Sequence, residues 1–79
     1  MSSVEKSELL KKVGKKVQEL RLSKDMKQVD LAAKMDGEID TSNISRIESG
    51  RTNPTIYTLY RIAQALEISI NDLIQIEEY

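Results

Sequence analysis

Residues 41–50 of the chain read TSNISRIESG, and this stretch decides both the fold and the functional question. Ile44 and Ile47 stand three residues apart, a spacing at which two side chains share one face of a helix. The polar side chains around them are Thr41, Ser42, Asn43, Ser45 and Arg46. Asp40 is suited to cap such a helix, and Gly50 can end it in the left-handed conformation. The stretch predicts a short helix with an apolar inner face and an outer row of hydrogen-bonding side chains.

Length and composition limit the possible function classes. A chain of 79 residues suits one domain, expected to span residues 1–79. It contains no Cys and no His, which excludes disulfides and removes the commonest general base and metal ligand. With no nucleophile–base pair and no ligand cluster, we expect no enzyme, no cofactor, no metal and no small-molecule substrate. No segment resembles a membrane span or a signal peptide, so the cytoplasm is the expected location.

Charge is unevenly distributed along the chain. The net charge of −1 argues against a nucleic-acid ligand, but residues 1–34 hold nine basic and five acidic side chains. Residues 54–79 hold one basic and four acidic side chains. A basic first half fits contact with a polyanion, and a solvated mixed-charge surface is the alternative.

Hydrophobic spacing predicts five helices in an all-α, compact bundle. The first is expected over residues 4–24, with its early turns bent or frayed at Gly14, which costs about 1 kcal/mol against Ala. The second is expected over 27–35 with Val29 among its inward residues, and the third around 41–50. Thr55 caps the fourth, whose inward residues begin at Ile56. Ser69, with Asp72 three residues on, caps the fifth, which is expected over 69–79.

The second and third segments form a helix-turn-helix, in which the third helix is presented outward to a DNA major groove. Ala32 is small where the helices cross, and Ile44 is its partner. The wider sequence resembles the Cro/C1-type (XRE) helix-turn-helix family of bacterial and phage repressors. Its pattern Q-x-x-L-A begins at Gln28, and I-S-x-I-E-x-G begins at Ile44. N-P-T with L-x-x-I-A-x-A-L runs from Asn53 to Leu66, and the likeness covers roughly residues 10–75.

The resemblance implies a lambda-repressor-like DNA-binding domain with the helix-turn-helix proper at residues 27–50, although the turn MDGEIDTSN is longer than usual in the family. It implies that the base-reading residues are Thr41, Ser42 and Arg46, with Asn43 and Ser45 beside them. Arg46 is suited to guanine; its alternative is a solvated charge. Contacts to phosphate are implied for Lys27, Gln28, Ser49, Arg51, Thr52 and Asn53, for which ordinary turn chemistry is the alternative in the loop. In the family the residue at Glu48 pairs with a first-helix Arg, here Arg21.

A homodimer on a palindromic operator is expected, because one small domain reads few base pairs. The fifth helix carries more apolar residues than one inward stripe needs. The predicted dimer surface comprises Ile74, Ile76 and Tyr79, bordered by Tyr57 and Tyr60; a tail folded over its own core is the alternative. RNA polymerase is a further partner if regulation works by recruitment. Phage Cro-like repressors and restriction–modification controller proteins both fit, and a protein-interaction module without base readout is the competing hypothesis.

Overall fold

The computed structural model describes the backbone of residues 3–37 and 39–76, and the side chains of 5–37 and 39–76. Five helices lie in this part of the chain: α1 (Ser3–Ser23), α2 (Gln28–Lys34), α3 (Thr41–Glu48), α4 (Ile56–Leu66) and α5 (Ile70–Ile74). No strand occurs among these residues. The predicted all-α, five-helix class is confirmed.

Every helix contributes a fully covered side chain to one core. The residues with 0% exposure are Val17 of α1, Leu31 of α2, Ile44 of α3, Ile62 of α4 and Leu73 of α5. Burying each such side chain contributes about 1.5–3 kcal/mol. Ile39, in the turn before α3, is also buried and joins this cluster. The core therefore lies directly beneath the short helix α3.

Side-chain caps set the beginnings of three helices, as the sequence predicts. Asp40 accepts the backbone N–H of Asn43 at 2.8 Å, and Thr55 accepts that of Thr58 at 3.1 Å. Ser69 accepts that of Asp72 at 3.3 Å. Such caps satisfy N–H groups that the first helical turn leaves unpaired.

Gly14 has a different role from the one expected, because α1 continues through it without a break. A Cβ at this position would lie 2.6 Å from the carbonyl oxygen of Glu48 and closer still to that of Ile47. Gly50, with φ of 76°, would likewise place a Cβ 2.9 Å from the Lys11 Cα. The two glycines let α1 pack directly against the backbone at the end of α3.

Three sequence expectations fail in detail. Val29 is 56% exposed rather than inward, because two residues before Leu31 a helix points to another side. Ile56, the first residue of α4, is 78% exposed. α5 ends at Ile74, well short of the expected 69–79, since Gln75 adopts an extended backbone conformation. Among the described residues, no helix is both long and apolar enough to cross a membrane.

Replacing Gly14 by Ala tests the close contact between α1 and α3. At an exposed helical site this change stabilises by about 0.5–1 kcal/mol. Here the added methyl meets backbone carbonyls, and we expect a loss of about 1–3 kcal/mol in the free energy of unfolding. Urea denaturation measures the loss. The control Lys15→Ala, exposed on the same helix, should stay within about 0.5 kcal/mol of the parent; a stabilised Gly14→Ala protein would contradict the contact.

Candidate nucleic-acid interface

The outer face of α3 carries the predicted base-reading row. Ser42, Asn43 and Arg46 are exposed, while Thr41 and Ser45 at the sides of the row are half-buried. Directly beneath, Ile44 and Ile47 are 0% and 3% exposed. The helix is therefore fixed to the core by its apolar face and presents polar groups outward. This is the geometry that entry into a groove requires.

Side chains at the start of α3 are already hydrogen-bonded to one another. The Ser42 hydroxyl donates to Asp40 Oδ1 at 2.7 Å, and the backbone N–H of Asn43 donates to the same oxygen at 2.8 Å. Arg46 Nη1 donates to Asn43 Oδ1 at 3.4 Å, a longer contact. The hydrogen bonds from Ser42 and Asn43, with the nearby Arg46 charge, hold the pKa of Asp40 below its usual value. The sequence argument missed the Ser42 bond, which the Asp-x-Ser spacing at a helix start could have indicated.

The predicted ion pair between α1 and α3 is confirmed. Arg21 donates from Nε to Glu48 Oε2 at 2.7 Å and from Nη2 to Oε1 at 3.0 Å. The two side chains are only 7% and 3% exposed. Arg21 Nη1 also donates to the Met26 carbonyl oxygen at 2.6 Å. Within the described residues, no buried side-chain nitrogen or oxygen lacks a hydrogen-bond partner.

Gln28 joins this buried pair, which the sequence did not reveal. Its Nε2 donates to Glu48 Oε1 at 3.0 Å. The backbone amide of Lys27, just before α2, is bonded to Asp30 Oδ2 at 2.8 Å. At the beginning of α2, the groups suited to a phosphate are therefore the Lys27 ammonium and the outward part of the Gln28 amide.

The other predicted phosphate-binding residues cluster at the end of α3. Arg51 Nε donates to Ser49 Oγ at 2.9 Å, so the two side chains lie together. Thr52 and Asn53 line a polar hollow of about 240 Å³ that also reaches Asn43, Tyr57 and Arg61. Because Gln28 bonds Glu48, the last residue of α3, the two sets of predicted phosphate contacts both lie near the end of this helix.

Arg61 is a cation at this hollow that the sequence did not single out. Its Nη1 donates to the Tyr57 hydroxyl at 3.3 Å, and its Nη2 lies 3.9 Å from Asp36 Oδ2. Asp36 is 87% exposed, so solvent screens this pair and it contributes little to stability. The spacing of Tyr57 and Arg61 on one helical face was the available signal.

A second cavity is an apolar groove of about 290 Å³, formed by α1, α4, the last residue of α5 and the chain that follows it. Its lining includes Leu9, Leu10, Ile56, Ile74 and Ile76. Of the predicted dimer residues, Ile74 and Ile76 lie here, while Tyr57 lines the polar hollow. Tyr60 is 47% exposed on α4, and Tyr79 lies outside the described residues. Among those described, no three acidic side chains cluster in a way that could hold a metal ion.

Comparisons with known proteins agree with the helix-turn-helix geometry of the chain. The family described as "Helix-turn-helix" (HTH_3) matches residues 17–73. A relative from Sinorhizobium fredii (strain NBRC 101917 / NGR234), the uncharacterized HTH-type transcriptional regulator y4dJ, is 36% identical over 67 residues. The match covers 85% of this chain and 84% of the relative.

Two solved structures are similar to the chain in both fold and sequence. The restriction–modification controller protein C.AhdI from Aeromonas hydrophila superposes with a TM-score of 0.80 at 30% identity, covering 85% of this chain and 94% of its own. The controller protein C.Esp1396I, solved as a tetramer in complex with its natural 35 base-pair operator, gives a TM-score of 0.71 at 36% identity. That match covers 85% of this chain and 96% of the other.

A double-mutant cycle tests whether the Arg21–Glu48 pair fixes α1 to α3. Arg21→Ala leaves a buried carboxylate without its cation and should cost about 3–5 kcal/mol of unfolding free energy. The double change Arg21→Ala with Glu48→Ala removes both charges and should cost less than Arg21→Ala alone. Urea denaturation of the parent, both single variants and the double variant measures this. Equal costs for Arg21→Ala and the double change would contradict the assignment.

Proposed function

The chain belongs to the helix-turn-helix family of DNA-binding transcriptional regulators, and from that premise we propose that it binds a palindromic operator as a homodimer. This family is a class of DNA-binding proteins rather than of enzymes. In the proposal, α3 enters the major groove. The observation that carries it is the exposed polar row of α3 above the buried side chains Ile44 and Ile47.

Arg46 is the residue best suited to read a base. It is exposed in the middle of the outer row, and its planar guanidinium can donate to O6 and N7 of one guanine together. Asn43 lies against it and supplies an amide that can reach the same or a neighbouring base. Thr41, Ser42 and Ser45 complete the proposed reading surface.

Contacts to the DNA phosphates would hold the domain on the duplex from the region at the end of α3. Lys27 and Gln28 stand at the beginning of α2, where Gln28 bonds Glu48, the last residue of α3. Ser49 and Arg51, with Thr52 and Asn53, follow α3 directly. Contacts to phosphate position a protein without reading sequence. Gln28 has an additional function in the proposal, because its bond to Glu48 ties the phosphate contact to the buried ion pair.

The apolar groove supports the dimer. Ile74 and Ile56 are 45% and 78% exposed there, and two large apolar side chains left so open on a small domain favour burial against a partner. We place a second copy of the chain at this groove, with residues 69–79 and the border residues Tyr57 and Tyr60 contributing to the interface. Recognition helices related by such a two-fold axis would lie on the order of 34 Å apart.

The comparisons favour a controller-type regulator acting as one unit over residues 1–79. C.AhdI and C.Esp1396I are both restriction–modification controller proteins, and C.Esp1396I assembles as a tetramer on its operator. For this chain we propose the same kind of role, in the cytoplasm, with the helix-turn-helix proper at residues 27–50. Control of transcription would follow from occlusion or recruitment of RNA polymerase at the operator.

Arg46 variants test the base contact. On duplex DNA from upstream of the chain's own gene, we expect Arg46→Ala to weaken specific binding by about 5- to 150-fold, because a bidentate guanine contact is lost. Arg46→Lys keeps the positive charge but loses the planar fork, so it should lose specificity while keeping the salt dependence of binding. Fluorescence titration at several salt concentrations, with a scrambled duplex alongside, measures both quantities.

Binding that ignores DNA sequence, together with a silent Arg46→Ala change, would instead favour a protein-interaction module. If the parent binds its operator specifically and Arg46→Ala leaves that binding unchanged, the base contact would have to be assigned to another residue of α3. The two outcomes separate the proposed function from the proposed role of Arg46.

Substitution of Ile56 tests the dimer surface. Because Ile56 is 78% exposed, Ile56→Asn should leave the monomer fold intact while placing an amide in the interface. We expect the dimer dissociation constant to rise about tenfold or more, equivalent to about 1.4 kcal/mol. Analytical ultracentrifugation over a range of concentrations measures it. Leu22→Asn is the matched control at a residue that is 56% exposed outside the groove, and equal effects of the two changes would exclude this surface.

A further inference from the structure

We infer that the first turn of α3 selects an exocyclic amino group, cytosine N4 or adenine N6, because Asp40 and Ser42 together present only hydrogen-bond acceptors to the groove. The inference rests on the proposed function, since it assumes that α3 lies in the major groove. It adds the chemical class of base that this part of the helix reads.

The chemistry of the Asp40–Ser42 contact fixes which group donates. An ionised carboxylate accepts hydrogen bonds and has no proton to give, whereas a serine hydroxyl has one proton and two lone pairs. The 2.7 Å contact between Ser42 Oγ and Asp40 Oδ1 therefore uses the only proton of Ser42. Toward the DNA, Ser42 has lone pairs alone.

A second hydrogen bond holds the Asp40 carboxylate in place. Its Oδ1 also accepts the Asn43 backbone N–H at 2.8 Å, as the cap of α3. Rotating the carboxylate away from Ser42 would disturb this cap. Like any aspartate at neutral pH the group is ionised, and the same hydrogen bonds lower the pKa of Asp40 further. The cap therefore keeps the Asp40 acceptor in position, and Ser42 presents only lone pairs as long as it keeps its bond to that acceptor.

Acceptors in the protein separate adenine and cytosine from guanine and thymine in the major groove. Adenine and cytosine offer amino donors there, whereas guanine offers O6 and N7 and thymine offers O4, all acceptors. Facing guanine or thymine, Ser42 would have to release Asp40 before it could donate. The Asp40–Ser42 pair also disfavours a phosphate, because the negative charge of Asp40 would repel it. The Asp40–Ser42 pair thus suits a base edge bearing an amino group.

One turn further along α3, Arg46 presents hydrogen-bond donors in place of acceptors. Its guanidinium has donors only, and it lies four residues after Ser42, about 6 Å along the helix axis. The outer row therefore presents acceptors first and donors next. We expect each half-site to contain an adenine or cytosine read by Ser42 and a guanine read by Arg46, within about two base-pair steps of each other.

Selection from random duplex DNA with the purified full chain tests the inference. The variants are Ser42→Ala, which removes the hydroxyl, and Asp40→Ser, which keeps a capping oxygen but frees Ser42 to donate. Ser23→Ala, at an exposed serine on α1, is the matched control and should select the same sequence as the parent. Thermal unfolding checks that each variant is folded.

Every Watson–Crick pair carries one amino donor in the major groove, so the orientation of the pair is what the Asp40–Ser42 acceptors can select. We expect the parent to prefer one orientation of a base pair about tenfold at one position of each half-site, with the adenine or cytosine on the contacted strand. Ser42→Ala should lose that preference at this position only, and Asp40→Ser should admit the reversed pair there. Base analogues give an independent readout. Purine in place of adenine, or 2-pyrimidinone in place of cytosine, should weaken the parent about tenfold and leave Ser42→Ala nearly unaffected.

Parent binding that stays unchanged when the amino group is removed from the adenine or cytosine of either strand, at the position that Ser42→Ala relaxes, would overturn the inference. So would a Ser42→Ala variant that changes no position, or an Asp40→Ser variant that keeps the preference intact. A parent protein that enriches no sequence at all would instead refute the proposed function. The two failures are therefore distinguishable.

Discussion

The buried ion pair between Arg21 and Glu48 is the constraint on which the arrangement of the helices depends. Two charges inside so small a domain lose their hydration, and such a loss is compensated only when geometry and hydrogen bonding are nearly complete. Here the guanidinium bonds both carboxylate oxygens and the Met26 carbonyl, and Gln28 adds a bond to Glu48. One cluster therefore joins the end of α1, the turn after it, the beginning of α2 and the end of α3.

That constraint explains how an eight-residue helix can present a fixed reading surface. Isolated helices of this length are unstable in water, so α3 must be held by its surroundings. Asp40 holds its beginning, Ile44 and Ile47 hold its inner face, and Glu48 holds its end. Gly14 then brings α1 against its last carbonyl groups. With its beginning, inner face and end fixed, the backbone of α3 loses little conformational freedom on binding, which favours affinity.

Local signals in the sequence predict much of this fold. The caps at Asp40, Thr55 and Ser69 and the apolar spacing of Ile44 and Ile47 each act within a few residues, so they can be read without a structure. Resemblance to the family supplied the Arg21–Glu48 pair, whose members are far apart in the chain. The close approach of α1 to α3 could not be predicted from the sequence, because Gly14 by itself indicates only a weakened helix. The exposure of Ile56 and the Gln28–Glu48 bond were also beyond local patterns, since both depend on how separate helices pack.

Asp40 illustrates a conflict between affinity and specificity at the proposed interface. In the proposed complex, a carboxylate at the beginning of α3 would be repelled by the phosphates on both sides of the groove, and the net charge of −1 supplies no compensating attraction. The same carboxylate caps the helix and orients Ser42. Repulsion applies to every DNA sequence, whereas the gain from a matched base applies only at the operator, so the ratio of specific to non-specific binding rises as overall affinity falls. In the proposed dimer, a second copy on a two-fold site would restore affinity by doubling the matched contacts, which is a physical reason for a small, nearly neutral reader of this kind to act as a dimer.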